Sequence, residues 1–209
     1  MTTRNEQSTK QTRNRILEAA GRVLARRGYH DTNVEEVVTK SGTSKGGFYF
    51  HFPSKERMVV TLVEEMSDKL VKKVERAMNG ELQPERRLAI ALDTLLRTFS
   101  RQRKLAQVLL INMAGHGKSM DKKFLPVRNR FAEVIQRELD GAVATGIVQP
   151  MDTTLASQVW LGALHEVIFQ WLMADNPASI EDVVSQTGAM LFNSAGIPGE
   201  RFVETLATP

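Results

Sequence analysis

The sequence predicts an all-α protein. Its apolar residues recur at helical spacing along almost the whole length, and no stretch alternates apolar and polar residues between turn signals as a strand would. With 209 residues, 42% of them hydrophobic, the chain carries enough apolar surface for one generous core or two small ones.

A first helix over residues 9–27 places Ile16, Leu17, Ala20, Val23 and Leu24 on one face, with Arg13, Arg15, Arg22 and Arg26 mainly elsewhere. Gly28 ends it as a C-cap. A second, short helix opens at Thr32-Asn33-Val34-Glu35, a capping box in which the Thr32 hydroxyl and the Glu35 carboxylate satisfy free backbone donors. Val34, Val37 and Val38 face inward. Ser41-Gly42 stops that helix, and a third begins at Thr43-Ser44 and runs through Lys45-Gly46-Gly47-Phe48-Tyr49. Pro53 breaks the chain, and Ser54 N-caps a long fourth helix that reaches about Met78 and reads as a connector. Further helices are expected over residues 84–100, 103–114, 121–144, 152–174 and 177–194. The tail after Gly196-Ile197-Pro198-Gly199 is expected to be loosely held.

Composition excludes several functions. Cysteine is absent, which removes disulfides, thiolate metal sites and a cysteine nucleophile and leans toward a reducing, cytoplasmic setting. The N-terminus is polar, and the most apolar stretch, Val159 to Ala174, is interrupted by His165, Glu166 and Gln170, so neither a signal peptide nor a membrane segment is expected. Four histidines stand scattered at positions 30, 51, 116 and 165, and no glycine loop is placed to cradle a phosphate. The carboxylate pairs Glu35-Glu36, Glu64-Glu65 and Glu181-Asp182 diverge around helix axes. No catalytic site, metal site or cofactor is expected from these residues, and an enzyme is the weakest reading.

Charge points to a partner. Residues 1–57 hold 11 Lys and Arg against 6 Asp and Glu, whereas the remainder holds 17 against 18. A basic N-terminal quarter is what affinity for a phosphate backbone requires, although solvated surface charge is the commoner cause of such a balance. Within that quarter, two short helices joined through a Gly-containing turn form a unit that presents its second helix to the major groove. The paired glycines Gly46-Gly47 weaken that helix and suggest a backbone that approaches a base edge or phosphate closely.

The run Thr43-Ser44-Lys45-Gly46-Gly47-Phe48-Tyr49-Phe50-His51-Phe52-Pro53-Ser54-Lys55-Glu56 resembles the signature of the TetR family of repressors. The resemblance extends upstream through Ile16-Leu17-Glu18-Ala19-Ala20, Gly28-Tyr29 and Thr32 to Val37 and Gly42, about a quarter of the chain. It implies a helix-turn-helix DNA-binding domain over residues 1–57, with the motif at about 33–52, and an effector-binding and dimerisation domain over residues 58–209. It implies that Thr43, Ser44, Lys45, Gly46 and Gly47 face bases or adjacent phosphates and that Tyr49 and His51 hydrogen-bond the backbone. Lys55, in the first turn of the fourth helix, is expected to hold a phosphate together with the free amides there, and Thr32 and Asn33 are expected to do the same at the second helix. Phe48 and Phe52 read more readily as the closure of a small three-helix core. The first ten residues, with Arg4 and Lys10, read more readily as a solvated arm than as a minor-groove contact.

The resemblance also implies a homodimer on a palindromic double-stranded operator, released by a small hydrophobic effector. The last two expected helices are apolar on more than one face, as a four-helix interface with a symmetry mate would need, with Gly162, Ala163 and Gly188 permitting close approach. Candidate pocket residues are Leu96, Phe99, Leu109, Met113, Phe131, Ile135, Trp160, Leu164 and Phe169, with Asn112, His116 and His165 as polar anchors. Plain core packing is the competing reading for each. Leu105 to Gly117 and Leu161 to Leu172 resemble the fatty-acid-responsive branch of the family, which implies an acyl-CoA effector. Arg101-Gln102-Arg103-Lys104 could then meet its phosphates, but a solvated helix end explains those four residues better. Three alternatives stay open: a non-specific architectural DNA-binding protein, a regulator acting through a protein partner, and an activator.

Overall fold

Gly28 sits at φ 73°, a left-handed conformation that a Cβ disfavours, and its N–H reaches the Leu24 carbonyl at 2.8 Å. It closes α1 (Thr2–Arg27). The computed structural model describes residues 2–111 and 118–207, apart from the side chains of 2–5, 104, 105, 109, 111 and 118–121. Every element among the described residues is helical: α2 (Val34–Ser41), α3 (Lys45–His51), α4 (Lys55–Ala77), α5 (Pro84–Arg101), α6 (Arg103–Ala106) running into a π-helical turn at Gln107–Ile111, α7 (Lys118–Ala144), α8 (Thr153–Met173), α9 (Ile180–Ser194) and α10 (Glu200–Ala207). None of the described helices is long and apolar enough to cross a membrane. The start of α1 corrects one expectation: the segment read as a solvated arm forms its first turns.

The chain divides into two compact units, residues 1–67 with 104–124 and residues 68–103 with 125–209. In the first unit Ile16, Leu17, Ala20, Val23 and Leu24 of α1 are buried with Val37, Phe48, Phe52, Met58, Val59 and Leu62. A ring of charge closes the joint between α1 and α2. The Glu36 carboxylate takes Arg26, Arg27 (2.8 Å) and Lys40 (3.2 Å). Arg13 pairs with Glu65 on α4 while its guanidinium lies 5.7 Å from the Phe52 ring centroid.

In the second unit α5 buries Leu88, Ala89, Leu92, Leu96 and Phe99, and α8 buries Trp160, Leu164, Ile168 and Leu172. Asp152 N-caps α8 by accepting the Leu155 N–H at 2.9 Å, and Ser179 caps α9 through Asp182 N–H at 3.1 Å. That cap moves the start of α9 three residues past the expected Pro177. One polar tie stands out. Arg87 makes a forked pair with the buried Glu138 carboxylate, at 2.6 and 3.0 Å, and donates to the carbonyls of Met78 (3.2 Å) and Glu81 (3.1 Å). One guanidinium thus gathers the end of α4, α5 and α7.

The tail is the largest departure from expectation. Gly196, at φ 76°, turns the chain back, and α10 docks Phe202 with no exposure against α9. Its ring meets Phe192 edge-on at 5.3 Å. A Cβ at Gly188 would stand 2.2 Å from Phe202 ring atoms. Gly188 therefore makes room for α10, not for a symmetry mate. Gly162 is exposed and has nothing within 4 Å of where a Cβ would stand. Leu155 (58%), Val159 (59%) and Met190 (73%) leave α8 and α9 with uncovered apolar side chains.

Candidate nucleic-acid interface

The geometry of α2, turn and α3 follows from two local devices. Gly42, at φ 64°, ends α2 by donating to Thr39 and Val38 carbonyls. Two residues later the Ser44 hydroxyl N-caps α3, accepting from Gly47 N–H at 3.0 Å. The helix that results is seven residues long, anchored inward by Phe48 with no exposed surface and by the C-cap residue Phe52 at 2%.

Gly46 and Gly47 are there for different reasons. At Gly47 a Cβ would stand 2.8 Å from Thr43 Oγ1 and 3.2 Å from Ser44 Oγ, so a side chain there would require the Thr43 hydroxyl to move. At Gly46 nothing lies within 4 Å, and the backbone is bare to solvent. Gly46 fits the expected close approach to an outside partner.

Around this helix the structure brings together Asn33, Ser44, Lys45, Gly46 and Tyr49 as exposed residues, with Thr43, Gly47, His51 and Lys55 half-buried. Asn33 N-caps α2, its Oδ1 accepting Glu36 N–H at 2.7 Å. Thr32 does not. It is 2% exposed, and its hydroxyl donates to the Gly28 carbonyl at 2.6 Å, so the cap falls to the next residue and Thr32 leaves the surface. Lys45 pairs at 2.8 Å with Glu35, the carboxylate assigned to that box. The pair is exposed and raises the Lys45 pKa while lowering that of Glu35.

Tyr49 is 46% exposed and braced edge-on against Phe48 at 5.3 Å. Burial, then the field of Arg13, hold the His51 imidazole below its usual pKa. Phe50, absent from the expected set, is 77% exposed.

Lys55 is half-buried. Its ammonium donates to the carbonyls of Tyr29 (2.8 Å), Thr32 (2.7 Å) and His30 (3.4 Å), and lies 4.5 Å from the Tyr29 ring centroid. Burial lowers its pKa, with Asp31 opposing. An ammonium has three donors, and all are engaged. The residue staples the loop between α1 and α2, which fixes the start of α2.

The expected pocket is placed only in part. Phe131, Ile135 and Leu164 line a cavity of about 40 Å³ in the second unit, with Val71, Val74, Ala91, Leu92, Leu95, Val134 and Leu161. Leu96 and Phe99 instead line a second apolar depression with Ile168 and Trp171. Trp160 belongs to the seam with α9, its N–H on Ser194 Oγ at 3.0 Å and its ring stacked on Phe192. His165 stacks on Phe169 and neither lines the cavity. The Leu109 side chain and Asn112, Met113 and His116 lie outside the described residues. Arg103 stacks over Trp171 at 4.7 Å and donates to the Leu172 carbonyl, while Arg101 is exposed. No cluster of His, Cys, Asp or Glu suited to a metal occurs among the described residues.

Residues 16–62 match the family described as bacterial regulatory proteins, tetR family, and residues 63–194 match the YsiA-like protein, C-terminal region. The chain is 22% identical to the fatty acid metabolism regulator protein of Bacillus subtilis over 161 residues, 77% of this chain and 83% of that protein. It is 32% identical over 90 residues to the regulator LmrA of the same organism, 43% of this chain and 48% of the relative. Among solved structures, the fatty acid degradation regulator FadR of Bacillus halodurans superposes with a TM-score of 0.80 at 26% identity, over 86% of this chain and 94% of that one. FadR of Bacillus subtilis in complex with stearoyl-CoA gives 0.78 at 21% identity, over 87% and 96%.

Proposed function

Because this chain belongs to the TetR family of DNA-binding transcriptional regulators, which are not enzymes, we propose that it is a dimeric repressor released from a palindromic operator by a long-chain acyl-CoA. The observation that carries the effector is the cavity between α4, α5, α7 and α8. Every residue lining it is apolar, which suits the aliphatic chain of such an effector and not its charged CoA moiety. At about 40 Å³ it is far smaller than such a chain. Binding therefore has to spread these helices, and a ligand that prefers the spread arrangement shifts the population toward it. Since α4 runs on from the helix-turn-helix, its displacement is the route by which the operator affinity falls. The uncovered Leu155, Val159 and Met190 support dimerisation through α8 and α9, because burying them against a second copy removes apolar surface from water.

The test is selection of duplex DNA from a random pool, followed by operator affinity with stearoyl-CoA, with free CoA and without either. A palindromic winner whose affinity drops about ten-fold or more with stearoyl-CoA, and not with CoA, supports the reading. No response to any acyl-CoA overturns the effector, and a non-palindromic winner overturns the dimer.

Two substitutions probe the interface. Glu35→Gln frees Lys45 for phosphate and removes a negative charge from that surface. Operator affinity is expected to rise about three- to ten-fold at low salt, the gain shrinking as salt screens the pair. Unchanged affinity would mean that Lys45 meets no DNA. Lys55→Met is expected to weaken binding while leaving the slope of log affinity against log salt unchanged, since an ammonium spent on carbonyls releases no counterion. A slope shallower by about 0.9 would instead put Lys55 on a phosphate.

A further inference from the structure

We propose that Phe50 reads the C5-methyl group of one thymine in each operator half-site; the proposal rests on the DNA-binding reading above. A helix turns about 100° per residue, so in the run Phe48-Tyr49-Phe50-His51-Phe52 the outer two rings share one face and the middle ring points away from it. The structure bears the geometry out: Phe48 and Phe52 are 0% and 2% exposed, and Phe50 is 77% exposed. A phenyl ring has no donor or acceptor, so Phe50 can neither hold a phosphate nor pair with the polar atoms of a base edge. The apolar group on a base edge in the major groove is the thymine methyl.

Two further features suit that contact. The Phe50 ring is held edge-on to His51, with centroids 5.1 Å apart, which limits the freedom lost on binding. One turn earlier on the same face, Gly46 leaves open space where a Cβ would stand, so a base pair can approach the helix beside the ring. Water otherwise surrounds a large apolar side chain on a helix whose neighbours Ser44, Lys45 and Tyr49 all carry polar groups.

The experiment replaces each thymine of the selected operator in turn by uracil, which deletes only the methyl, and measures affinity for wild type, Phe50→Ala and Phe50→Leu. One thymine per half-site is expected to show about a four-fold loss with uracil, about sixteen-fold when both half-sites carry it. Phe50→Ala abolishes that difference at that position and leaves other thymines unaltered, whereas Phe50→Leu retains part of it. Thermal melting of both variants is expected to match wild type because the ring is exposed. If wild type and Phe50→Ala respond identically to uracil at every position, the proposal fails while the DNA-binding reading stands. If wild type selects no sequence at all, both fail together.

Discussion

Phe202→Ala is expected to lower the melting temperature of the protein by about 10 °C. The Phe202 ring is fully buried, meets Phe192 edge-on and fills the notch left by Gly188. Deleting it removes the apolar burial of the ring and leaves a cavity between α9 and α10, which costs about 3–5 kcal/mol for a buried phenylalanine. At about 2–4 °C per kcal/mol for a chain of this length, calorimetry at fixed protein concentration resolves the loss easily. Gly188→Ala is the complementary perturbation. It drives a methyl into the same ring and is expected to destabilise by about 1–3 kcal/mol through overpacking. A Phe202→Ala shift below about 2 °C would show that α10 contributes nothing in solution and would restore the loose tail that Gly196 to Gly199 suggest.

Arg87→Ala is the second large effect, about 2–3 kcal/mol. It takes the forked partner from the Glu138 carboxylate, which is 4% exposed and keeps only the 3.4 Å contact with Arg137, and takes the donor from the Met78 and Glu81 carbonyls. Breaking a fully buried pair costs about 3–5 kcal/mol; the lower figure reflects the guanidinium, whose side chain is 27% exposed. Arg87→Lys keeps the charge and loses the fork, so an intermediate loss is expected. The double substitution Arg87→Met with Glu138→Leu is expected to recover most of the stability, because no charge is then left unpaired in the interior. Full wild-type stability of Arg87→Ala in chemical denaturation would mean that water replaces the guanidinium at no net loss.

The recognition unit was legible because its determinants are local. Gly28, Gly42, Ser44 and Ser54 act on backbone groups within a few residues of themselves, and Phe48 and Phe52 follow from the helical period. The same period places Phe50 outside, where it is 77% exposed. Thr32 and Asn33 are both good caps, and the choice between them fell to the Gly28 carbonyl, which claims the Thr32 hydroxyl. The lining of the cavity was poorly legible for a related reason. A helix buried on several faces gives a periodicity that does not say which apolar side chains meet across a gap, so Val71 and Val74 on the presumed connector were missed while Trp160 was included.

By itself the sequence determined the all-helical class and the helix-turn-helix, since each depends on hydrophobic period and on caps that operate within one turn, while the family came from the resemblance of the run Thr43 to Glu56. Tertiary structure alone decided the partners of side chains far apart in the chain. Lys55 reaches carbonyls 23 to 26 residues away, Arg87 reaches Glu138 across 51, and Gly188 owes its size to a ring on another helix. The physical reason is that long flexible side chains and bare glycines are compatible with many surroundings, and only the packed core selects one.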